Sequence, residues 1–314
     1  MFSLKINNEF GALSNVILGV AYSFGGTPKI DECYDPKSRE NILNGTFPNE
    51  KNLIAELNNF LKVLEKYNVN VIRPETIENC NQIFTRDIAF VIDEKIIVSG
   101  IIDERKKEID GIEKVFSKIS SDKIITLSND ARIEGGDVIL DGKNIYIGYS
   151  KEDDFNKYKV ARTNEKAINE IKILFPNKNI FSFELNKSDL SARDNALHLD
   201  CCFQPIGKNK AIIYEGGFKN YDDVLLITEK FGDDVYFWYG FYPMAGVIEG
   251  FRSAFIGMNP MPWDKLLILI TPLQPLSRNI NIHTMIYIVR ILHIIRRTIH
   301  ILHQIVIVLR RRIF

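Results

Sequence analysis

The sequence predicts an α/β fold built from repeated β-β-α-β units. Three segments share one design, in which an acidic residue leads an apolar run, a polar turn and a second apolar run, as in a β-hairpin. Each segment is followed by a stretch with apolar residues at three- and four-residue intervals, which is typical of a helix. The chain has 314 residues, 46% hydrophobic and 25% charged, so it can bury a large core.

The three predicted hairpins begin at Asp87, Asp137 and Asp200. They extend over residues 87–98, 137–147 and 200–214, with polar turns at 93–95, 141–144 and 207–210. Segments of one design at intervals of this length indicate units arranged radially or in a stack.

The spacing of apolar residues predicts helices over residues 104–119, 164–175 and 221–231, each leading into a further strand. An apolar run at 14–20 and a helix over 50–67 complete a fourth unit. A fifth unit would fill the chain, but residues 236–314 have no leading acid and no polar hairpin turn. The sequence therefore predicts four recognisable ββαβ units and an atypical fifth.

The composition changes along the chain. Residues 1–250 hold 24 Lys and 7 Arg against 39 acids, a net charge of −8, whereas residues 251–314 hold 1 Lys and 8 Arg against one acid, a net charge of +8. We expect a domain over residues 1–235 and an atypical Ile/Arg-rich segment over 236–314. A basic amphipathic helix over 285–312 that binds a membrane surface or a partner is one interpretation of this segment. The other interpretation is that the coding sequence is read out of frame here, so that the segment is not an evolved module.

The N-terminus lacks the basic start and apolar run of a secretory signal, which predicts a cytoplasmic protein. The arginines and histidines of the basic segment argue against a membrane span. Four cysteines, Cys33, Cys80, Cys201 and Cys202, have neither zinc-ligand nor disulfide-framework spacing. No cofactor and no nucleic-acid partner are expected, and a homo-oligomer is left open.

The candidate site residues lie at the entrances of the hairpins. If residues 197–200 form a strand, His198 and Asp200 point to one face of it. Glu134 precedes two glycines at the second hairpin, and Asp87 leads the first. Units arranged around an axis bring these entrances together in one acidic pocket, which suits a planar guanidinium cation. The alternative is that each acid only caps a turn.

Four segments carry a resemblance to a known superfamily: FTRD at 84–87, IEGGD at 133–137, ARTN at 161–164 and NALHLD at 195–200. In this order, and over about residues 4–236, the chain resembles the guanidino-modifying superfamily of arginine deiminases, dimethylargininases and amidinotransferases. The resemblance implies a pentein fold, the α/β-propeller of ββαβ units. It also implies a small arginine-like substrate.

The resemblance assigns a role to each candidate residue. Asp87 and Asp200 would hold the substrate guanidinium, with Phe84 beside them. His198 would be the general acid and base, and Glu134 would orient and support it. Arg162 would bind the α-carboxylate of the substrate.

The chemistry of the family also requires a cysteine thiolate that attacks the guanidinium carbon. That cysteine belongs in the fifth unit, and no cysteine follows Cys202. Cys202 lies on the same predicted strand face as His198 but about 7 Å deeper, so we interpret it as a core residue rather than a surrogate nucleophile. His198, Asp200 and Glu134 are residue types that can bind a divalent ion, but a single histidine without zinc-ligand spacing predicts no metal.

The sequence leaves the reaction open between C–N bond hydrolysis and amidino transfer. A non-catalytic pentein that binds a macromolecule is one alternative function. The retention of Asp87, Glu134, His198 and Asp200 speaks against it, because a binding scaffold does not need this set. A membrane-surface or interaction protein that acts through residues 250–314 is the other alternative.

Overall fold

The computed structural model describes residues 2–237. Its strands are β1 (Asn15–Ile17), β2 (Asn70–Ile72), β3 (Ala89–Ile92), β4 (Lys95–Val98), β5 (Ile124–Thr126), β6 (Val138–Asp141), β7 (Asn144–Tyr149), β8 (Asn179–Glu184), β9 (Phe203–Gly207), β10 (Lys210–Ile213) and β11 (Val235–Phe237). Its α-helices are α1 (Pro36–Leu43), α2 (Glu50–Lys66), α3 (Thr85–Ile88), α4 (Lys107–Asp110), α5 (Glu113–Phe116), α6 (Glu152–Lys157), α7 (Glu165–Leu174) and α8 (Tyr221–Phe231).

Three sheets have the same topology, in the strand orders β3-β4-β5, β6-β7-β8 and β9-β10-β11. In each sheet the first two strands form an antiparallel hairpin, and the third strand pairs in parallel with the second. Helical segments connect the second strand to the third, since a parallel pair needs a crossover. These three sheets are the predicted ββαβ units.

The first unit differs from the prediction. β1 pairs in parallel with β2, and α1 and α2 lie between them in the chain. Within residues 2–237, no hairpin strand precedes β1 in this sheet. The described residues therefore form three ββαβ units and one β-α-α-β unit in four separate small sheets, and closure into a propeller stays a prediction.

Three of the predicted helices are present as α2, α7 and α8. Asn49 and Asn164 cap the first two, because their side chains accept hydrogen bonds from the backbone N–H groups of Asn52 and Ala167. The helix predicted over 104–119 is instead divided into a 3₁₀ turn, α4 and α5. Arg105 and Glu108 are buried in this segment, so their contacts in the interior compete with a regular helix.

The hairpin turns are shorter than predicted, with two residues each. Each contains one residue with positive φ, namely Asp93 (50°), Gly142 (64°) and Asn209 (56°). Asp, Asn and Gly tolerate this conformation better than other residues do, so the turn sequences favour tight hairpins.

The chain does not enter its hairpins as a straight strand. Short helical turns precede the first strands of the three ββαβ units: α3 and the 3₁₀ turns Gly135–Asp137 and Leu199–Cys201, which we call the leading turns. The prediction that His198 and Asp200 lie on one strand face is therefore wrong. Local backbone hydrogen bonds across three residues close these turns and delay the start of the strand.

Aromatic packing joins the last two units. The Tyr146 ring on β7 lies 5.1 Å from the Phe203 ring and 6.2 Å from the Phe231 ring, measured between centroids. Phe203 begins β9 and Phe231 ends α8, so one core serves two sheets.

Residues 238–314 lie outside the described residues, together with the predicted basic segment and most of the predicted second domain. None of the helices in the described range combines the length and apolar composition that crossing a membrane requires.

Candidate functional site

The leading turns place three candidate residues at equivalent positions. Asp87 N–H donates to the Phe84 carbonyl (3.1 Å), Asp137 N–H to the Glu134 carbonyl (3.0 Å), and Cys201 N–H to the carbonyl of His198 (3.2 Å). Phe84, Glu134 and His198 therefore correspond to one another by hydrogen bonding. The aspartates at 87, 137 and 200 are not all equivalent, because Cys201 rather than Asp200 occupies the matching position in the third turn.

Glu134 and His198 form a buried pair. Nε2 of His198 lies 2.8 Å from Oε2 of Glu134, and neither side chain is exposed to solvent. Burial alone would raise the pKa of Glu134, but Arg162, the hydrogen bond with His198 and the charge of Arg105 outweigh it and lower this pKa to about 2. Because an ionised carboxylate only accepts hydrogen bonds, the proton of this contact belongs to Nε2 of His198.

Asp87 lies on the other side of the imidazole ring. Its Oδ1 atom is 4.0 Å from Nδ1 of His198, and ligand atoms of Asp87, Glu134 and His198 all lie within 4.8 Å of one another. Gly136 makes this approach possible, since a Cβ atom there would lie 2.7 Å from Nδ1 of His198 and 3.0 Å from Oδ1 of Asp87. The structure thus brings three of the candidate residues into one buried cluster.

Arg105 is a member of this cluster that the sequence did not predict. Its Nη1 donates to Oδ2 of Asp87 (2.9 Å) and contacts Oε2 of Glu134 (3.5 Å). Glu108 accepts from Nε (2.7 Å) and from Nη2 (2.8 Å), which is a bidentate pair. A guanidinium is therefore already coordinated by three buried carboxylates of the chain.

Arg162 and Phe84 contact the cluster from its edges. Nε of Arg162 lies 3.3 Å from Oε1 of Glu134, and its Nη groups donate to the carbonyls of Lys159 and Tyr34. The carboxylate-binding role of Arg162 stays a prediction, since these contacts involve protein acceptors. The Phe84 ring lies 5.8 Å below the Arg105 guanidinium, at a distance suited to a cation–π contact.

Asp200, Cys201 and Cys202 lie on and after the third leading turn, and all three are fully buried. Oδ1 of Asp200 lies 3.8 Å from Sγ of Cys201. Sγ of Cys202 lies 3.3 Å from the Leu199 carbonyl, and both cysteines belong to the core around Tyr146. The described contacts do not link Asp200 directly to Asp87, so its role in holding a ligand stays a prediction.

Asp137 and Lys187 hold the chain on both sides of His198. Oδ1 of Asp137 accepts from the backbone N–H of Leu199 (2.9 Å), and its Oδ2 accepts from the Thr163 hydroxyl (2.6 Å). Nζ of Lys187 donates to the carbonyls of Ala196 and Leu197, both at 2.8 Å. Burial lowers the pKa of Lys187 and raises that of Asp137.

The carboxylates and imidazole of Asp87, Glu134 and His198 are of the type that holds a divalent cation. Arg105 and Arg162 already bring two positive charges to this cluster. A divalent ion would meet about twice the repulsion from these arginines that a singly charged organic cation meets, so the donor set suits an organic cation better.

A cavity of about 220 Å³ lies elsewhere, between the N-terminal segment, β1 and the core of the second unit. Its lining is mainly apolar and includes none of the residues of the cluster. The candidate residues therefore lie in a buried, polar region and do not line this cavity.

The chain belongs to the guanidino-modifying superfamily, as the sequence motifs predicted. The chain belongs to the family described as N,N dimethylarginine dimethylhydrolase, eukaryotic, whose sequence model matches residues 39–234, more than half of the chain. Protein YkgA of Bacillus subtilis (strain 168) is 30% identical over 207 residues, which are 66% of this chain and 64% of that protein. The chain thus spans less than two thirds of this relative's length.

Solved structures agree with this fold. SxtG, an amidinotransferase from Microseira wollei in the saxitoxin biosynthetic pathway, is 17% identical with a TM-score of 0.56 over 74% of this chain and 75% of that chain. A dimethylarginine dimethylaminohydrolase variant, solved as an adduct with S-methyl-L-thiocitrulline, is 16% identical with a TM-score of 0.56 over 83% and 90% of the two chains. The N-terminal domain of ArgZ, a cyanobacterial arginine dihydrolase solved with its substrate, is 16% identical with a TM-score of 0.56 over 71% and 75%. At these identities the likeness shows the fold alone.

One compositional signal points to the buried arginines, including Arg105, which the sequence motifs did not indicate. Residues 1–250 contain 24 lysines but only 7 arginines. Three of these, Arg86, Arg105 and Arg162, are buried and paired with acids. Arginine is the cation that proteins favour for buried bidentate pairs, so each arginine in a lysine-rich chain is a candidate interior residue.

Proposed function

We propose that this chain is a guanidinium-binding scaffold of the guanidino-modifying type, and that its ligand is an arginine-like cation. One observation carries the proposal: the buried carboxylates of Asp87, Glu108 and Glu134 already coordinate a guanidinium, that of Arg105. Carboxylates in such an arrangement match the fork of planar N–H donors that an arginine-like ligand also presents.

Each candidate residue has a place in this proposal. Asp87 and Asp200 hold the ligand guanidinium beside Phe84, and Arg162 binds its α-carboxylate. His198 exchanges a proton through Nδ1, since its Nε2 proton is engaged by Glu134 at 2.8 Å. Glu134 thereby sets the orientation and tautomer of the imidazole and stabilises its charged form.

We further propose that this chain binds such cations without turning them over. Water attacks a resonance-stabilised guanidinium poorly, and a covalent thiolate step would avoid this difficulty. No cysteine follows Cys202, whose buried side chain packs in the core around Tyr146. Hydrolysis of a C–N bond and amidino transfer share this requirement, so the proposal holds for either reaction.

Isothermal titration calorimetry tests the binding proposal. We expect arginine, Nω-methylated arginines or guanidinoacetate to bind, and we expect citrulline, a neutral isostere, to bind at least tenfold more weakly. Asp87→Asn retains the size of the side chain but removes its charge, so it should weaken arginine binding. If none of these cations binds to the folded protein, the proposal is wrong.

Product assays test the absence of turnover. Citrulline and ornithine formation should remain at the level of the buffer control over a long incubation. If product forms and Cys202→Ser abolishes it, Cys202 is a nucleophile and our core assignment is wrong. If product forms and the variant retains it, the thiolate requirement is wrong for this chain.

A further inference from the structure

The cavity of about 220 Å³ beside the N-terminal segment is a second place where this chain can hold a small molecule. Aliphatic residues from the N-terminal segment, β1, β2, β3, β4 and α5 line it, among them Leu4, Ile17, Ile72, Val91, Ile96 and Val115. Walls of this kind favour an apolar group, because a buried alkyl chain leaves water for hydrocarbon contacts.

The volume of the cavity limits the size of that group. A cavity of about 150 Å³ lined by Leu, Ile and Phe holds one benzene ring. In proportion, about 220 Å³ accommodates about nine carbon atoms. The cavity therefore fits a chain of medium length and is too small for the acyl chains of a membrane lipid.

The open side of the cavity is polar and basic. Lys5 is the one charged residue of the lining, and it is exposed, so its ammonium group lies on the solvent side. The described ion pairs assign no acid to it. Ser3, Ser14 and Asn15 are the other polar residues of the lining, and they too are exposed. An anionic head group placed there would meet a cation and polar groups and no acidic side chain of the lining.

We propose that this cavity binds a medium-chain carboxylate of about six to nine carbon atoms. Its alkyl chain lies between the first and second units, and its carboxylate lies beside Lys5. Because the lining includes none of Asp87, Glu134 and His198, this site is separate from the guanidinium cluster and does not rest on the proposed function.

The N-terminal part of the lining is fastened at both of its ends. The backbone N–H of Phe2 donates to the Lys118 carbonyl at 2.8 Å, and Ile6 exchanges backbone hydrogen bonds with Asp93 at 2.9 and 2.6 Å. Among the described contacts, residues 3–5 make no backbone hydrogen bond between these two points. They can therefore move outward to admit an alkyl chain while both ends stay in place.

Isothermal titration calorimetry of the full-length protein with saturated carboxylates of increasing length tests the size of the site. Affinity should rise about fourfold for each added methylene from pentanoate to octanoate, because each methylene is buried. Dodecanoate should bind less than about twofold more tightly than nonanoate, since the cavity is then full. Absence of saturable octanoate binding, or an affinity that rises at the same rate through dodecanoate, would overturn the proposal.

The role of Lys5 is tested by removing its charge. Lys5→Gln should weaken octanoate binding by about twofold to fivefold, which is the range of an exposed ion pair. Lys208→Gln is the matched control, since Lys208 is an exposed lysine in the turn between β9 and β10. An equal change in both variants would contradict the placement of the carboxylate.

A second pair of variants tests the position of the alkyl chain. Ala12 is an exposed residue of the lining, so Ala12→Phe fills part of the cavity from the solvent side without inserting into the core. We expect octanoate affinity to fall tenfold or more. Ala55→Phe makes the same change at an exposed alanine of α2 outside the lining and should change affinity by less than about twofold. Equal affinities in the two variants would overturn the proposal.

NMR spectra of the methyl-labelled protein locate the ligand without any substitution, so they also decide the case in which Ala12→Phe does not fold. We expect nuclear Overhauser effects between the alkyl chain of octanoate and the methyl groups of Val91, Ile96 and Val115, which line the interior of the cavity. Effects confined to methyl groups outside the lining would show that octanoate binds elsewhere and that the proposal is wrong.

Discussion

At the level of single residues, Glu134 is the carboxylate that contacts the other charged side chains of the site. One carboxylate contacts His198, Arg105 and Arg162, and it has no exposure to solvent. A buried acid in an apolar interior would take up a proton, whereas these partners keep Glu134 ionised. The charge of His198 and the orientation of its ring both depend on that state.

The low pKa of Glu134 predicts how stability changes with pH. A carboxyl whose pKa falls from about 4.5 when unfolded to about 2 when folded stabilises the fold above pH 4.5. This contribution, on the order of 3 kcal/mol, is lost as the pH falls toward 2. Urea denaturation of Glu134→Gln should show a smaller loss of the free energy of unfolding between pH 5 and pH 3 than the unmodified protein. Glu104→Gln, at an exposed position, should follow the unmodified protein.

Asp137 should prove important for stability as well as for the site. Asp137→Ala leaves the buried Leu199 N–H without its acceptor and removes the Thr163 contact, so the free energy of unfolding should fall by about 2–4 kcal/mol. Asp130→Ala, whose partner Lys166 is exposed, should cost less than about 1 kcal/mol. A similar loss in both variants, measured by denaturant titration, would contradict this assignment.

At the level of elements, the leading turns determine where the functional side chains lie. They place Phe84, Glu134 and His198 at the same point of three units. Glu134 and His198, 64 positions apart, are in contact, and Phe84 lies beside Arg105 of the same cluster. A strand would have directed alternate residues to opposite faces. In the leading turns, the side chains of Glu134 and His198 face each other instead, at 2.8 Å.

A substitution of Gly136 tests this arrangement, because the second leading turn passes close to the third at this residue. In Gly136→Ala the new methyl group would lie 2.7 Å from Nδ1 of His198, so the ring or the turn must shift. We expect a loss of arginine affinity of tenfold or more, with a smaller effect on the thermal midpoint. Gly207→Ala is the control, since its Cβ would have 3.9 Å of space. Unchanged affinity in Gly136→Ala would show that the turns tolerate displacement.

The sequence predicted the ββαβ units and the proximity of Asp87, Glu134 and His198 for identifiable physical reasons. Two apolar runs around a polar turn predict a hairpin, and apolar residues at three- and four-residue intervals predict a helix, so both were recognised. The leading turns were missed because three-residue hydrogen-bonded turns leave no periodic pattern. Arg105 was missed because a charged residue in a segment with helical spacing resembles an exposed one until its partners are known.

At the level of the whole molecule, one ion pair links the N-terminus to two units. Arg86 of α3 contacts Glu9 at 3.0 Å and donates to the carbonyls of Gly135 and Val138 in the next unit. Glu9 also accepts from the backbone N–H of Leu140 in β6. These contacts hold the second and third units together through buried polar groups.

Arg86→Met should therefore destabilise the whole molecule. The variant leaves the buried Glu9 carboxylate without this cation and two carbonyls without a donor, so we expect the free energy of unfolding to fall by about 3–5 kcal/mol. Arg39→Met, at a partly exposed arginine that donates to the Ile30 carbonyl, should cost about 1 kcal/mol or less. Equal stability of Arg86→Met and the unmodified protein by calorimetry would show that the pair does not join the units.

The first sheet could be extended by a further strand that pairs with β1. A strand with an unpaired edge presents backbone groups with which another strand can pair. Among the described residues, β1 pairs with β2 alone. The Thr85 hydroxyl already donates to the Ile17 carbonyl of β1, which blocks part of that edge. Any strand that adds there, from the remaining chain or from a second molecule, must therefore displace or accommodate Thr85, one residue from Phe84. A strand added at this edge would therefore act on the residue next to Phe84 of the candidate site.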